Sequence, residues 1–300
     1  MGRRFEPDGA HMLTLAEVHK SGDYLTHEKL WISSVRSQNF SYRNGYFLTN
    51  PGRWRGFEWE NILSNPTQHT VLVVGHSDNE LSAETVDRIM ETSPVQNIYA
   101  TNLSVDAISR PGVHDLPLGI PNDERQSRTH IIQSDASLLR KAWHRGKPPT
   151  SSSHIALYAN FSIRNNPAER RAAWEATESA PGARLGKFEL SRRGRLRDLI
   201  SMRTSGLVVC PPGGGMDTHR FWEALLVGAI PVTIASDHAA RVAQFLNLPV
   251  ITVESWEDLA SRDFLTQAAV KIWGKSWDYS PLTSQFWLEK ILRSSSATDS

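Results

Sequence analysis

Short apolar, β-branched runs recur along the chain, each followed by a polar or glycine-rich break and then by residues with helical spacing. YFLT from Tyr46, TVLVVG from Thr70, NIYAT from Asn97, HIALYANFS from His154, LVVC from Leu207, VTI from Val232 and VITV from Val250 read as strands. Between them lie amphipathic stretches. TLAEVHKSG predicts a short N-terminal helix, SAETVDRIMET a helix opened by a Ser-x-x-Thr start, and Pro167 suits the first position of a helix through AERRAAWEA. RLRDLISMRTS, ESWEDLASR and an apolar-striped segment from about Thr283 complete the set. Strand and helix alternate throughout, which predicts an α/β protein built on parallel sheets.

The stretch from Leu207 to Ile234, LVVCPPGGGMDTHRFWEALLVGAIPVTI, carries the most chemistry. Pro211 and Pro212 end the strand, and Gly213, Gly214 and Gly215 permit a tight turn. A helix starting near Asp217 or Thr218, both good N-cap types, follows with Phe221, Ala224, Leu225 and Gly228 on one face. Such a turn aims free backbone N–H groups and the positive end of a helix dipole at one spot, where phosphate oxygens are stabilised. Arg220 adds a permanent charge and a donor fork suited to phosphate. His219 and Glu223 share that helical face, with Glu223 suited to accept hydrogen bonds from the hydroxyls of a ribose. The plainer reading is a capped helix with a solvated Arg220–Glu223 pair.

Composition narrows the field. The 33 Lys and Arg residues balance 32 Asp and Glu, so no bulk field favours nucleic acid or an anionic membrane, and any anion site must be local. One cysteine, Cys210, excludes an internal disulfide; in an apolar strand it reads as a buried structural thiol and points to a reducing compartment. No run of roughly eighteen apolar residues occurs, so a cytoplasmic chain without a membrane span is expected. Residues 1–11 have no apolar h-region and read as an appended leader ahead of a start at Met12. The Pro- and Ser-rich HRGKPPTSSS from His144 suits an interdomain linker, dividing the chain into 12–145, 154–281 and a terminal helix and tail over 282–300. Trp54, Phe57 and Trp59 are suited either to stacking on a sugar face or to packing a small core.

PPGGGMDTHRFWEALLVGAIPV resembles the donor-site segment of exostosin-type glycosyltransferases, which runs roughly P-x-G-x-G-x-D-x-H-R-x-W-E-x-L-x-x-G-x-I-P. VLVVGHSDNEL, NIYATNLSV, HDLPLGIPND and LYANFSIRNNPAERRAAW are similar to the same group, so the likeness spans Val71 to Val253. It implies a GT-B fold: two Rossmann-like domains facing a cleft, the second holding a nucleotide-sugar, with a final helix that commonly crosses back to the first. It also implies metal-independent transfer with inversion to a glycan or small-molecule acceptor, UDP-sugars being the usual donors and no cofactor being needed. On this reading Gly213, Gly214, Gly215, Asp217, Thr218, His219, Arg220 and Glu223 surround the donor, and the loop bearing Asn160 and Arg164 reaches its phosphates. Arg170 and Arg171 are expected at the surface.

Inverting transfer also needs a base for the acceptor hydroxyl. GHSDNEL follows a strong strand and places His76, Asp78 and Glu80 on one loop; Asp78 is the candidate base, with His76 as partner or rival, although an Asp in that position is also a common cap. No HxH, HExxH or DxD cluster suggests a metal. The alternative function is a non-catalytic carbohydrate- or nucleotide-binding protein on the same fold. A P-loop NTPase is disfavoured because PPGGGMDTH lacks the Gly-Lys-Ser/Thr ending, and a phosphorylase-like enzyme because of the chain's length.

Overall fold

A computed structural model describes residues 12–37, 39–44, 46–50, 53–56, 69–75, 78–122 and 128–296. Eleven strands are found among them: β1 (Ser41–Asn44), β2 (Tyr46–Asn50), β3 (Arg53–Gly56), β4 (Val71–Gly75), β5 (Asn97–Ala100), β6 (Val113–Asp115), β7 (Ala156–Ala159), β8 (Arg184–Leu185), β9 (Gly206–Val209), β10 (Ile230–Ile234) and β11 (Ile251–Val253). With the helices between them they form a mixed α/β protein with two parallel sheets, of four and five strands. The expected leader over 1–11, His76, Phe57 and Trp59 lie outside the described residues. Trp54 falls in β3, which pairs antiparallel with β2.

Two compact units divide the chain. One contains β7–β11 and comprises residues 1–24, 119–214 and 218–283; the other contains β1–β6 and comprises residues 25–118, 215–217 and 284–300. The passage at Leu118–Gly119 lies upstream of the Pro- and Ser-rich stretch. That stretch instead connects the Ala136–Arg145 helix to β7 within one unit.

In the β7–β11 unit the strand order is β11-β10-β9-β7-β8, all parallel. The chain leaves β7 for β8 on one side and returns to β9 on the other, so β7 and β9 flank the point where the winding reverses. In open α/β sheets ligands bind beyond the carboxyl ends of strands at such a point. The core is aliphatic: Leu157, Leu207, Val209, Ile230, Val232 and Ile251 are all buried. The helix Arg192–Ser205 is N-capped by Ser191, whose hydroxyl accepts from the Gly194 amide. ESWEDLASR forms a five-residue 3-10 helix, Trp256–Ala260, rather than an α-helix, closed by a capping box between Ser255 and Asp258. An α-helix with no counterpart in the sequence reading, Arg262–Trp273, follows it and buries Leu265 and Ala269.

The β1–β6 unit orders its parallel strands β1-β4-β5-β6. Ser82 caps the helix Ala83–Thr92, which buries Val86 and Ile89 against Leu72, Val74 and Ile98. The closing helix, Ser284–Ser296, packs within this unit against the His27–Ser37 helix and β4. Trp287 and Ile291 are fully buried there, and the Tyr99 and Ser294 hydroxyls meet at 2.7 Å.

Candidate functional site

At the reversal point of the β7–β11 unit, β7 delivers Tyr158 and Asn160, and β9 delivers Cys210 to Gly214 followed, after residues 215–217, by the helix His219–Leu226. That helix is buried over six consecutive residues, Phe221 to Leu226, rather than along one stripe. Glu223 is therefore carried inside, where an isolated carboxylate would be costly. Arg195, from the Arg192–Ser205 helix, supplies its counter-charge through a direct Nη2–Oε1 ion pair.

Arg195 also reaches Asp198, with Nη1 at 3.4 Å from Oδ2. Asp198 is the hub of the cluster. Its Oδ1 accepts from the Tyr158 hydroxyl at 2.8 Å and the Asn160 amide at 2.9 Å, and its Oδ2 lies 3.6 Å from Nη2 of Arg220. Burial, then the neighbouring Asp198 charge, pushes the Tyr158 phenol well above its ordinary range, so it remains a donor. Arg220 is held by the one long ion pair. Its Nη1 is buried without a hydrogen-bond partner.

A second guanidinium also reaches the turn. Arg170, on the Pro167–Ser179 helix, donates from Nε to the Pro212 carbonyl at 2.8 Å and from Nη1 to the Ser162 carbonyl at 2.9 Å. Its Nη2 faces Gly213, 3.0 Å from where a Cβ would stand. Burial, aided by repulsion from Arg220, lowers its pKa to about 10, which leaves it charged at neutral pH. Arg170 thus corrects the expectation of a surface residue: it is only 7% exposed, and it shares a buried stripe with Ala173 and Thr177 that its spacing from them already implied. Arg171 is exposed as expected, and Arg164 is exposed in a short 3-10 turn.

Thr218 occupies the N-cap of the His219–Leu226 helix without a side-chain capping bond. The helix start is therefore not closed by its own cap. His219 Nδ1 lies 2.8 Å from the Gly119 carbonyl, which orients the ring. Asp217, an expected cap, has a different task in the β1–β6 unit. Its carboxylate accepts from the Leu118 amide at 2.9 Å, and its own amide donates to Asn102 Oδ1 at 2.8 Å. Asn102 is buried in the left-handed region at φ 55°, a conformation Asn tolerates better than most residues.

Gly215 belongs to the same unit. A Cβ there would stand 2.8 Å from Asn102 Nδ2, 3.0 Å from Asp78 Cα and 3.2 Å from Asp78 Oδ1. Asp78, exposed, is therefore placed against Gly215. Cys210 is fully buried, its thiol pushed up to about 12 by burial and donating to the Val208 carbonyl. That is the chemistry of a packing residue. Among the described residues no group of three or more His, Cys, Asp or Glu could hold a metal ion. No helix among them is long and apolar enough to cross a membrane.

Of the sequence-derived residues, Asn160, Gly213, Gly214, His219, Arg220 and Glu223 lie in the β7–β11 unit, while Asp78, Gly215 and Asp217 lie in the β1–β6 unit. Asn160 and Glu223 face protein partners, Asp198 and Arg195, rather than solvent. Sequence reasoning missed Tyr158, Arg170, Arg195, Asp198 and Asn102. The i,i+3 pair Arg195 and Asp198 was the available signal on its helix. Neither a protein-family model nor a curated protein matches the chain.

Proposed function

We propose that this chain is a glycosyltransferase that moves a sugar from a nucleotide-diphospho-sugar to an acceptor hydroxyl, with inversion and without a metal. In this reading the two units act as GT-B domains, β7–β11 binding the donor and β1–β6 presenting the acceptor. The observation that carries the proposal is a pair of guanidinium groups at one glycine turn with nitrogens to spare. Arg220 Nη1 is buried and unpartnered, and Arg170 Nη2 makes no hydrogen bond among the described residues. Two cations that repel one another in a low-dielectric setting favour an anion beside them, and a diphosphate supplies the oxygens that their spare donors can take.

During transfer the acceptor oxygen bonds to the anomeric carbon as that carbon's bond to the diphosphate oxygen breaks. Arg220 and Arg170 stabilise the charge that develops on the leaving diphosphate. Asp78, beside Gly215 in the β1–β6 unit, takes the acceptor proton. Asn160, Tyr158 and Arg195 position Asp198, which in turn sets the orientation of Arg220. UDP is the favoured nucleotide, by the resemblance.

Thermal-shift measurements with UDP, GDP, dTDP and CMP test the reading directly, because a ligand bound only by the folded state raises its stability. One nucleotide diphosphate is expected to raise the midpoint, and Arg220→Ala to abolish that rise along with turnover; full activity in the variant removes the donor-site assignment. Slow donor hydrolysis without acceptor separates an enzyme from a mere binding protein. Asp78→Asn is expected to lower turnover more than donor affinity, and an unchanged rate discards Asp78 as the base.

A further inference from the structure

A recess lies in the β7–β11 unit at the amino ends of β9 and β10, whereas the arginine cluster lies at the carboxyl ends of β7 and β9. Two cavities, of about 280 and 440 Å³, share Trp273 as a wall. The first is bounded by Trp277, Tyr279, Lys275 and Ser276, and the second by Pro149 and Ser151. We propose that this recess is a binding site for a neutral saccharide, remote from the donor and independent of it.

The chemistry of the walls selects that ligand. Aromatic rings offer flat apolar faces to sugar C–H groups while their polar edges contact water or hydroxyls. The Trp277 ring is fixed by its own N–H, which donates to the Ile272 carbonyl at 2.9 Å, and the Lys275 ammonium sits 5.7 Å from the ring centroid. Trp273 is wedged by close packing. Its benzo edge comes within 3.0 Å of where a Cβ of Gly206 would stand, a position left open by glycine at φ 86°. The residue is nevertheless 36% exposed.

Among the described residues the Trp273 indole N–H and the Tyr279 and Ser276 hydroxyls have no hydrogen-bond partner. An occupant able to hydrogen-bond is favoured over a purely apolar one wherever it displaces water from such groups. Burial pushes the Tyr279 phenol up to about 12, so it stays a donor at neutral pH. No lining residue is acidic, which removes a cation from consideration, and the one lining cation is already over an aromatic face. Sugar hydroxyls accept from such donors, and sugar faces cover such rings. The backbone around Tyr279 is held in place, its amide donating to the Leu13 carbonyl at 2.9 Å and Asp278 accepting from the Leu13 amide at 3.0 Å, so the recess is preformed.

The experiment is a microarray of neutral and charged oligosaccharides probed with the full chain, followed by titration of the bound glycans while the indole N–H signals of nitrogen-15 tryptophan-labelled protein are recorded. Binding in the millimolar range or tighter is expected, with the Trp273 signal moving most. Trp273→Phe, which keeps a ring against Gly206, is expected to weaken binding about tenfold, and Tyr279→Phe several-fold. The UDP-induced thermal shift is expected to remain as in the wild type for both. An array that retains no neutral glycan, capture of charged glycans alone, or binding unchanged in both variants overturns the proposal.

Discussion

Arg195 and Arg220 lie in one ionic cluster, yet the proposed function gives them opposite tasks, and replacing each with Met separates the two. Arg195 joins two carboxylates whose side chains are only 5% and 10% exposed, Glu223 and Asp198. Its removal leaves Asp198 with Tyr158, Asn160 and a long contact to Arg220, but leaves Glu223 without a counter-charge. Breaking a buried pair from one side costs on the order of 3–5 kcal/mol. Arg220 contributes one ion pair of 3.6 Å and keeps a nitrogen unsatisfied, so Arg220→Met is expected to cost about 1 kcal/mol or less. For a bound diphosphate the order reverses. Losing a charge-assisted donor is worth about 1.5–3 kcal/mol, or roughly 10- to 150-fold in UDP affinity. Urea unfolding followed by circular dichroism reads the first quantity, and calorimetric titration with UDP reads the second. The double variant Arg195→Met, Glu223→Gln is expected to recover most of the stability that Arg195→Met loses, because no buried charge is then orphaned. Equal destabilisation by the two single variants, or an Arg195→Met protein within about 1 kcal/mol of wild type, refutes the division of labour.

Other consequences follow from single packing or titration facts. Gly215→Ala forces a Cβ against the Asp78 backbone and the Asn102 amide, and is expected to cost about 1–3 kcal/mol with a fall in turnover; wild-type stability and rate would show that the turn is not tightly seated. His19 is buried, donates from Nε2 to the Leu226 carbonyl and accepts at Nδ1 from Tyr24, and burial lowers its pKa from 6.5 to about 4. The folded chain therefore keeps it neutral while the unfolded chain takes up a proton below pH 6.5. Stability from this residue is complete above that pH and declines towards pH 4, by roughly 3 kcal/mol in all. His114, in the other unit, is lowered to about 4 by burial and by Lys290, and acts in the same direction. His19→Asn is expected to flatten the decline of melting temperature over that window, and an unchanged slope discounts His19 as its source. The Cys210 thiol is expected to resist Ellman's reagent in the native protein and to react in urea; rapid native labelling contradicts its burial.

Local pattern alone determined a good deal of this protein. Apolar β-branched runs placed β4, β5, β7 and β9, because strand burial on both faces demands unbroken hydrophobic runs. Thr14, Ser82 and Pro167 marked helix starts because capping and fixed φ are decided within one turn. The glycine turn and Arg220 were legible for the same reason: they lie within a few residues of each other. Only the tertiary structure decided which charges pair. Glu223 meets Arg195 across 28 residues, and Asn102 meets Asp217 across 115. The strand order that puts β7 beside β9, with β8 outside, likewise depends on which apolar faces the helices cover, and so on contacts far apart in sequence. Arg170 went inside because its helix turned the stripe of Ala173 and Thr177 toward the sheet, a choice set by packing rather than by the residue's own polarity.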